Sequence, residues 1–205
     1  MFKNVFVGEN AAKQPVKVLI LGESHYEGNG KIEGTHGVVD YLAVCGNDND
    51  TRFYKNIMKA FGYDITLEQR KRFWSKVYCG NYVSDLCGIR ESNPAAEKIK
   101  YNRKQYNNEL FTYINGHEID VVLCFSRLVY NNLPSAADGE KDEIIIKHKT
   151  NYLKKIEYHA NTEHKICSVT LIKPLTVYGL KHPSAGFSAS VYCDYFKNTK
   201  INFLW

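Results

Sequence analysis

Continuous apolar runs alternate along the chain with stretches whose apolar positions recur every three or four residues, which is the pattern of buried strands alternating with amphipathic helices. The first run, Val16-Lys17-Val18-Leu19-Ile20-Leu21, reads as a fully buried strand that ends on Gly22-Glu23-Ser24-His25-Tyr26. A second, Asp120-Val121-Val122-Leu123-Cys124-Phe125, leads into a helix over 126–133 that Pro134 closes. A third, Thr176-Val177-Tyr178-Gly179-Leu180-Lys181, feeds His182-Pro183-Ser184-Ala185-Gly186-Phe187-Ser188. The centre of 73–83 reads as a further strand.

Between these runs the period lengthens. Thr51 caps a predicted helix over 52–61 in which Phe53, Ile57 and Phe61 share a face, and Gly62 stops it. Thr66 and Gln69 have capping-box spacing and open a second helix to Trp74. The longest helical pattern is 95–115, with Ile99, Tyr106, Leu110 and Ile114 on one side; a closing helix over 188–198 turns Val191, Tyr195 and Phe196 inward. Residues 1–15 are expected along the surface, tacked down by Phe2, Val5 and Phe6, and 201–205 is an apolar tail expected to dock. Glycines at 28, 30, 34 and 37 make 27–50 a long polar loop. Residues 84–94 are loop, and 139–142 a charged turn. From 143 to 173 the pattern turns to short β runs, 144–146, 153–158 and 165–172, around a loop at 161–163, which predicts a β-hairpin insertion.

A chain of 205 residues with no repeat, low-complexity tract or linker suits a single domain over 1–205. The apolar part of its first residues is too short for a signal peptide, and no run has the length of a membrane span. The six cysteines are scattered, with no CxxC pair, so reduced thiols in a cytoplasm are expected, with no metal, cluster or other cofactor. The net charge of +5 permits a polyanionic partner without demanding one. Arg70-Lys71-Arg72 and the basic stretch from Lys98 to Lys104 are either phosphate contacts or solvated helix faces. Fifteen tyrosines and ten phenylalanines supply a core and, where exposed, faces on which bases stack.

Open α/β sheets bind ligands at the carboxyl ends of their strands. Two strand-to-turn segments, each bringing a histidine and a serine, therefore suggest one cleft. A serine-hydrolase reading, with Ser24 as nucleophile and His25 as base, needs G-x-S-x-G, and Tyr26 fills the last glycine position. The phosphate-loop pattern GxxxxGK[ST] is absent.

These two turns resemble motifs of the uracil-DNA glycosylase superfamily. GESHY at 22–26 looks like its water-activating turn, and HPSAGFS at 182–188 looks like its His-Pro-Ser loop, in the same order and at long separation. The resemblance implies a three-layer α/β/α sandwich around a mainly parallel four-stranded sheet, to which 143–173 adds its hairpin. It implies an enzyme of DNA repair that flips a nucleotide out of DNA and hydrolyses the N-glycosidic bond of uracil or a related deaminated or damaged base. DNA, single- or double-stranded, is then the expected partner of a monomeric protein.

The superfamily pattern assigns His182 as donor to the oxyanion that develops at the uracil 2-position. Glu23 orients water or stabilises the sugar cation. Ser24 stands where the best-known members carry their water-activating aspartate, and His25 replaces a proline, adding another acid or base. Gly22 counts among the substrate-binding positions, and Tyr26 walls the pocket against a 5-methyl group. Asn81 is either the amide that pairs with the uracil edge or a turn residue after Gly80. Phe187 is either a wedge into the base stack or an anchor for the closing helix; Ser184, like Ser188, holds a phosphate or caps that helix. With the aspartate gone, the alternative is a catalytically weak or inactive glycosylase-like scaffold that binds nucleic acid, a nucleotide or a protein.

Overall fold

The strands are, in chain order, β1 (Phe6–Val7), β2 (Val18–Gly22), β3 (Tyr78–Asn81), β4 (Val121–Cys124), β5 (Glu143–His148), β6 (Asn151–Tyr158) and β7 (Leu175–Leu180). The helices are α1 (Arg52–Ala60), α2 (Leu67–Trp74), α3 (Pro94–His117), α4 (Arg127–Tyr130) and α5 (Ala189–Phe196). The structure is a computed structural model that describes residues 2–24, 44, 52–84, 87, 94–134, 143–148 and 151–201.

All strands join one seven-stranded sheet in the order β1-β3-β2-β4-β7-β6-β5. Its centre, β3-β2-β4-β7, is parallel. Every residue of those strands is buried, as a strand covered on both faces must be. Outside them the pairing is antiparallel, β1 on β3 at one edge and the β5–β6 hairpin on β7 at the other. Successive residues of the parallel strands feed opposite cores. Val18, Ile20, Val121, Leu123 and Tyr178 share a cluster with α1, α2 and α5, whereas Leu19, Leu21, Val122, Cys124 and Val177 share one with α3 and α4. This is a three-layer α/β/α arrangement.

Chain direction explains which helices lie where. From β2 the chain steps one way to β3 through α1 and α2, then reverses past β2 to β4 through α3. Crossovers of one hand that run in opposite directions along a sheet must use opposite faces. The step from β4 to β7 continues in the second direction, and α4 lies on the same face as α3.

Several sequence expectations change. The sheet has seven strands rather than four, because the hairpin pairs directly onto β7 and because the segment expected to run along the surface pairs Phe6 and Val7 with β3. The hairpin pairs 143–148 with 151–158, so its two strands precede 161–163 rather than flank it. The run 165–172 is no strand: besides the His164–Cys167 bridge and the bond from Asn161 N to Leu171 O (2.8 Å), asparagines of α3 hold its backbone. Asn108 Oδ1 accepts from Ser168 N (2.7 Å), and Asn115 takes Ile172 N (3.1 Å) while donating to Thr170 O (2.8 Å). Side-chain amides thus do what a neighbouring strand would do, and they leave no periodicity in the segment they hold. In α5 the inward positions are Tyr192 and Phe196, with Tyr195 packed beside them and Val191 only half-buried. The helix expected over 126–133 shortens to α4 and a following turn.

The remaining local signals hold within the described residues. Thr66 Oγ1 accepts from Gln69 N at 3.3 Å, and Gly62 takes φ 76° where α1 ends. α3 carries all four expected core residues and bends at Asn102, whose φ/ψ of −120°/18° is not helical. The charged turn at 139–142, Cys45, the tail beyond 201 and nearly all of the loop at 27–50 lie outside the described residues. Among the described residues no helix is long and apolar enough to cross a membrane.

Asn107 is the buried polar hub of the second core, with no exposed surface. Its Nδ2 donates to Asn132 O (3.1 Å) and Ile166 O (3.2 Å), and its Oδ1 accepts from Tyr82 OH (2.8 Å). Asn107→Ala takes the donor from two carbonyls and leaves the Tyr82 phenol only its longer contact with Arg103 O (3.4 Å), so a loss of about 2–4 kcal/mol is expected, read as a lower urea midpoint; an unchanged midpoint would contradict this role. Burial also pushes both strand thiols up, Cys124 to about 12 and Cys79 further. Ellman's reagent at mildly alkaline pH is expected to leave both unmodified in the native protein and to reach them on unfolding. Rapid native labelling of either, identified by peptide mass, counts against this packing.

Candidate functional site

β2 is where the topology reverses, with β3 to one side and β4 to the other, and the region past the carboxyl ends at such a reversal is the crevice where open α/β sheets bind ligands. The chain leaving β2 is tied down on both sides. Phe125 N donates to Leu21 O (2.9 Å), Tyr82 N to Gly22 O (3.0 Å) and Val83 N to Glu23 O (3.0 Å). These bonds extend the sheet's ladder into the turn and hold Glu23 at its mouth.

The Glu23 carboxylate accepts a hydrogen bond from Ser126 Oγ at 2.8 Å. Ser126 is buried, lies just past β4 and also accepts Val129 N at 3.2 Å, which caps α4. One hydroxyl therefore joins the ends of β2 and β4 across the crevice. Ser126 was legible only as a helix start; a serine between a buried strand and a helix was the available signal. Ser24 follows Glu23 with its Oγ buried and, among the described residues, without a hydrogen-bond partner. His25 and Tyr26 lie outside the described residues.

On the other side of β2, Asn81 is the last residue of β3, level with Gly22 and buried. It belongs to the strand, not to a turn after Gly80. A Cβ built on Gly22 would overlap the Asn81 amide oxygen, so a larger residue at 22 would displace that amide. Gly22 shapes the site by leaving room for its neighbour.

β7 delivers His182. Its Nδ1 accepts Ser184 N at 3.2 Å, and its carbonyl accepts Ala185 N at 3.0 Å, which closes the loop into a turn. A neutral imidazole that accepts at Nδ1 carries its proton on Nε2. From α1, Asn56 Nδ2 donates to Pro183 O (2.7 Å) and Phe53 packs on the imidazole with ring centroids 5.2 Å apart. Gly186 takes φ 64°, a left-handed conformation suited to glycine. Ser184 is exposed and contributes its N–H to His182 rather than a cap to α5. Ser188 holds the cap position without a side-chain cap bond, its N–H going to Asn151 Oδ1 at 3.1 Å. Phe187 stacks on Tyr192 (4.7 Å, 24°), which is the anchoring arrangement and not that of a projecting wedge.

Asn81, Glu23, Ser126 and His182 thus stand at or just past the carboxyl ends of four adjacent parallel strands. The strands that deliver Glu23 and His182, β2 and β7, lie on either side of β4, two strand spacings or about 10 Å apart. Phe125, buried in the core directly after β4, packs against Phe53 of α1 with centroids 6.4 Å apart. A carboxylate and an imidazole N–H delivered by strands two places apart can stabilise opposite charges on one bound molecule. Among the described residues no group of three or more His, Cys, Asp or Glu is placed to hold a metal ion. Surface grooves of about 540 Å³ beside Tyr113 and about 420 Å³ beside Val7 contain none of these residues. No protein-family model matches the chain, and no curated protein matches it.

Ser126→Ala removes both the α4 cap and the carboxylate's donor. The expected cost is about 2–3 kcal/mol in urea unfolding, with Ser126→Thr losing less. Equal midpoints for wild type and Ser126→Ala would show that the bridge between β2 and β4 contributes nothing.

Proposed function

We propose that the crevice past β2 is a uracil-DNA-glycosylase-like active site that hydrolyses the N-glycosidic bond of uracil, or of another deaminated or damaged base, in DNA. The observation that carries this reading is the pair Glu23 and His182 on parallel strands separated by β4, with the His182 Nδ1 engaged by Ser184 N–H so that a neutral ring offers Nε2–H. The superfamily resemblance of the two turns supports it as well.

In this mechanism the nucleotide leaves the stack and enters the crevice, since a base inside a duplex cannot be reached. As the bond between the sugar C1′ and the base nitrogen breaks, its electron pair moves onto the base and charge gathers on the 2-position oxygen. His182 Nε2–H donates to that oxygen. The sugar carbon left electron-poor is stabilised by the Glu23 carboxylate, which Ser126 orients. Water then adds to C1′ and loses a proton, and the departing base anion takes one up. Asn81 supplies both an amide donor and an acceptor, which matches the 4-oxo and 3-NH edge of uracil and mismatches the 4-amino group of cytosine.

Ser24 favours a second reading. A serine hydroxyl cannot hold water's proton as a carboxylate does, and this one is buried. A domain that binds nucleic acid, a nucleotide or a protein without cutting accounts for the same crevice.

The two readings separate in a glycosylase assay on labelled single- and double-stranded DNA carrying uracil, hypoxanthine or xanthine, with alkali to reveal abasic sites. Base release by wild type, reduced roughly 10²–10³-fold in His182→Ala with little change in affinity, is the expected result. Glu23→Gln should also lower turnover more than affinity. Bound DNA with no base released in any arm removes the enzyme and leaves the binding domain.

A further inference from the structure

α3 is longer than the sheet it packs on. Its twenty-four residues extend about 36 Å at the helical rise, against about 16 Å for the five residues of β2. The carboxyl end of α3 is level with the start of β2, where Glu118 pairs with Lys17 at 2.8 Å. At the far end Tyr82, just past β3, donates to Asn107 Oδ1 (2.8 Å) and reaches Arg103 O (3.4 Å). The first turns of α3, up to the bend at Asn102, therefore project past the carboxyl ends of the strands, on the side where the candidate site opens. One face of this arm is held in the core by Ala95 and Ile99.

Tyr101 is 76% exposed, the most exposed large apolar side chain among the described residues. Lys100 Nζ lies 5.5 Å from its ring centroid, half-buried Lys98 precedes it on the same helical turn, and exposed Lys104 follows just past the bend at Asn102. Four cations, Lys98, Lys100, Arg103 and Lys104, face a single carboxylate, Glu97, along this stretch. An exposed aromatic ring set among cations suits a strand that carries a flat base and a phosphate at every step. A duplex meets only half of this, because its bases are already stacked.

We infer that the amino-terminal arm of α3 is a docking surface for single-stranded DNA, with a base stacked on Tyr101 and the flanking phosphates neutralised by Lys98 and Lys104. The choice of DNA as the strand rests on the glycosylase reading; the stacking surface does not. The arm is rooted through Tyr82 beside Asn81, so a strand lying along it passes the mouth of the crevice.

The test is fluorescence anisotropy of a short labelled oligothymidylate, which contains no excisable base, with the full-length protein. Wild type binds, Tyr101→Ala binds about five- to a hundredfold more weakly, and Tyr101→Phe binds nearly as wild type. Lys98→Ala combined with Lys104→Ala flattens the plot of log affinity against log salt by about 0.7 for each phosphate left without its lysine. A duplex of the same length shows little dependence on Tyr101. Thermal melts establish that the exposed substitutions leave the fold intact. Unchanged affinity in Tyr101→Ala, or no binding by wild type, overturns the inference, and tighter binding of oligouridylate overturns the choice of DNA. Tyr101-dependent binding without base release upholds the arm and removes the glycosylase. Base release whose KM ignores Tyr101→Ala upholds the glycosylase and removes the arm.

Discussion

The constraint on which the structure depends is the complete burial of β2. Val18, Leu19, Ile20 and Leu21 have no exposed surface, and each contributes roughly 1.5–3 kcal/mol by leaving water. A strand so apolar on both faces has to be covered by helices on both and paired along both edges. Once it is placed centrally, no polar side chain can leave it except at its ends. The carboxyl end, where Gly22 and Glu23 emerge, is also where the connections part to opposite sides. Burial of one strand therefore decides both the layering and the place where chemistry can occur.

Around that strand, buried amides and hydroxyls do the joining. Asn107 fastens α3 to the segment after β3, to the turn after α4 and to the backbone at Ile166. Asn108 and Asn115 hold the strand-like run 165–172 as irregular chain. Ser126 joins the ends of β2 and β4 through the Glu23 carboxylate, and Asn56 carries α1 onto the loop after β7. Satisfied polar groups of this kind specify one arrangement, because each displaced partner would leave a buried donor or acceptor unpaired. Ser126 and Asn56 of the same set hold the turns after β2 and β7 in place.

Local signals were legible where their cause is local. The buried strands, the capping contact of Thr66 and the core face of α3 all follow from consecutive or helically spaced residues. β1 was not legible, since two residues carry no period. The extra strands on β7 were visible as β structure, but which edge they join depends on a partner distant in sequence. At the site, the turns bearing Glu23 and His182 stood out as polar groups after apolar runs. Ser126 did not, because its importance lies in a bond to a residue 103 positions away.

What the sequence by itself determined is the alternation of apolar runs and amphipathic periods, which commits the chain to an α/β fold with polar turns at strand ends. Composition and periodicity are properties of neighbouring residues, and hydrophobic burial reads them directly. Tertiary structure alone decided the seven-strand order, the length by which α3 overhangs the sheet and the partner each polar group takes. These are contacts between residues far apart in the chain, selected by which pairings satisfy the buried polar groups best, and no local pattern encodes them.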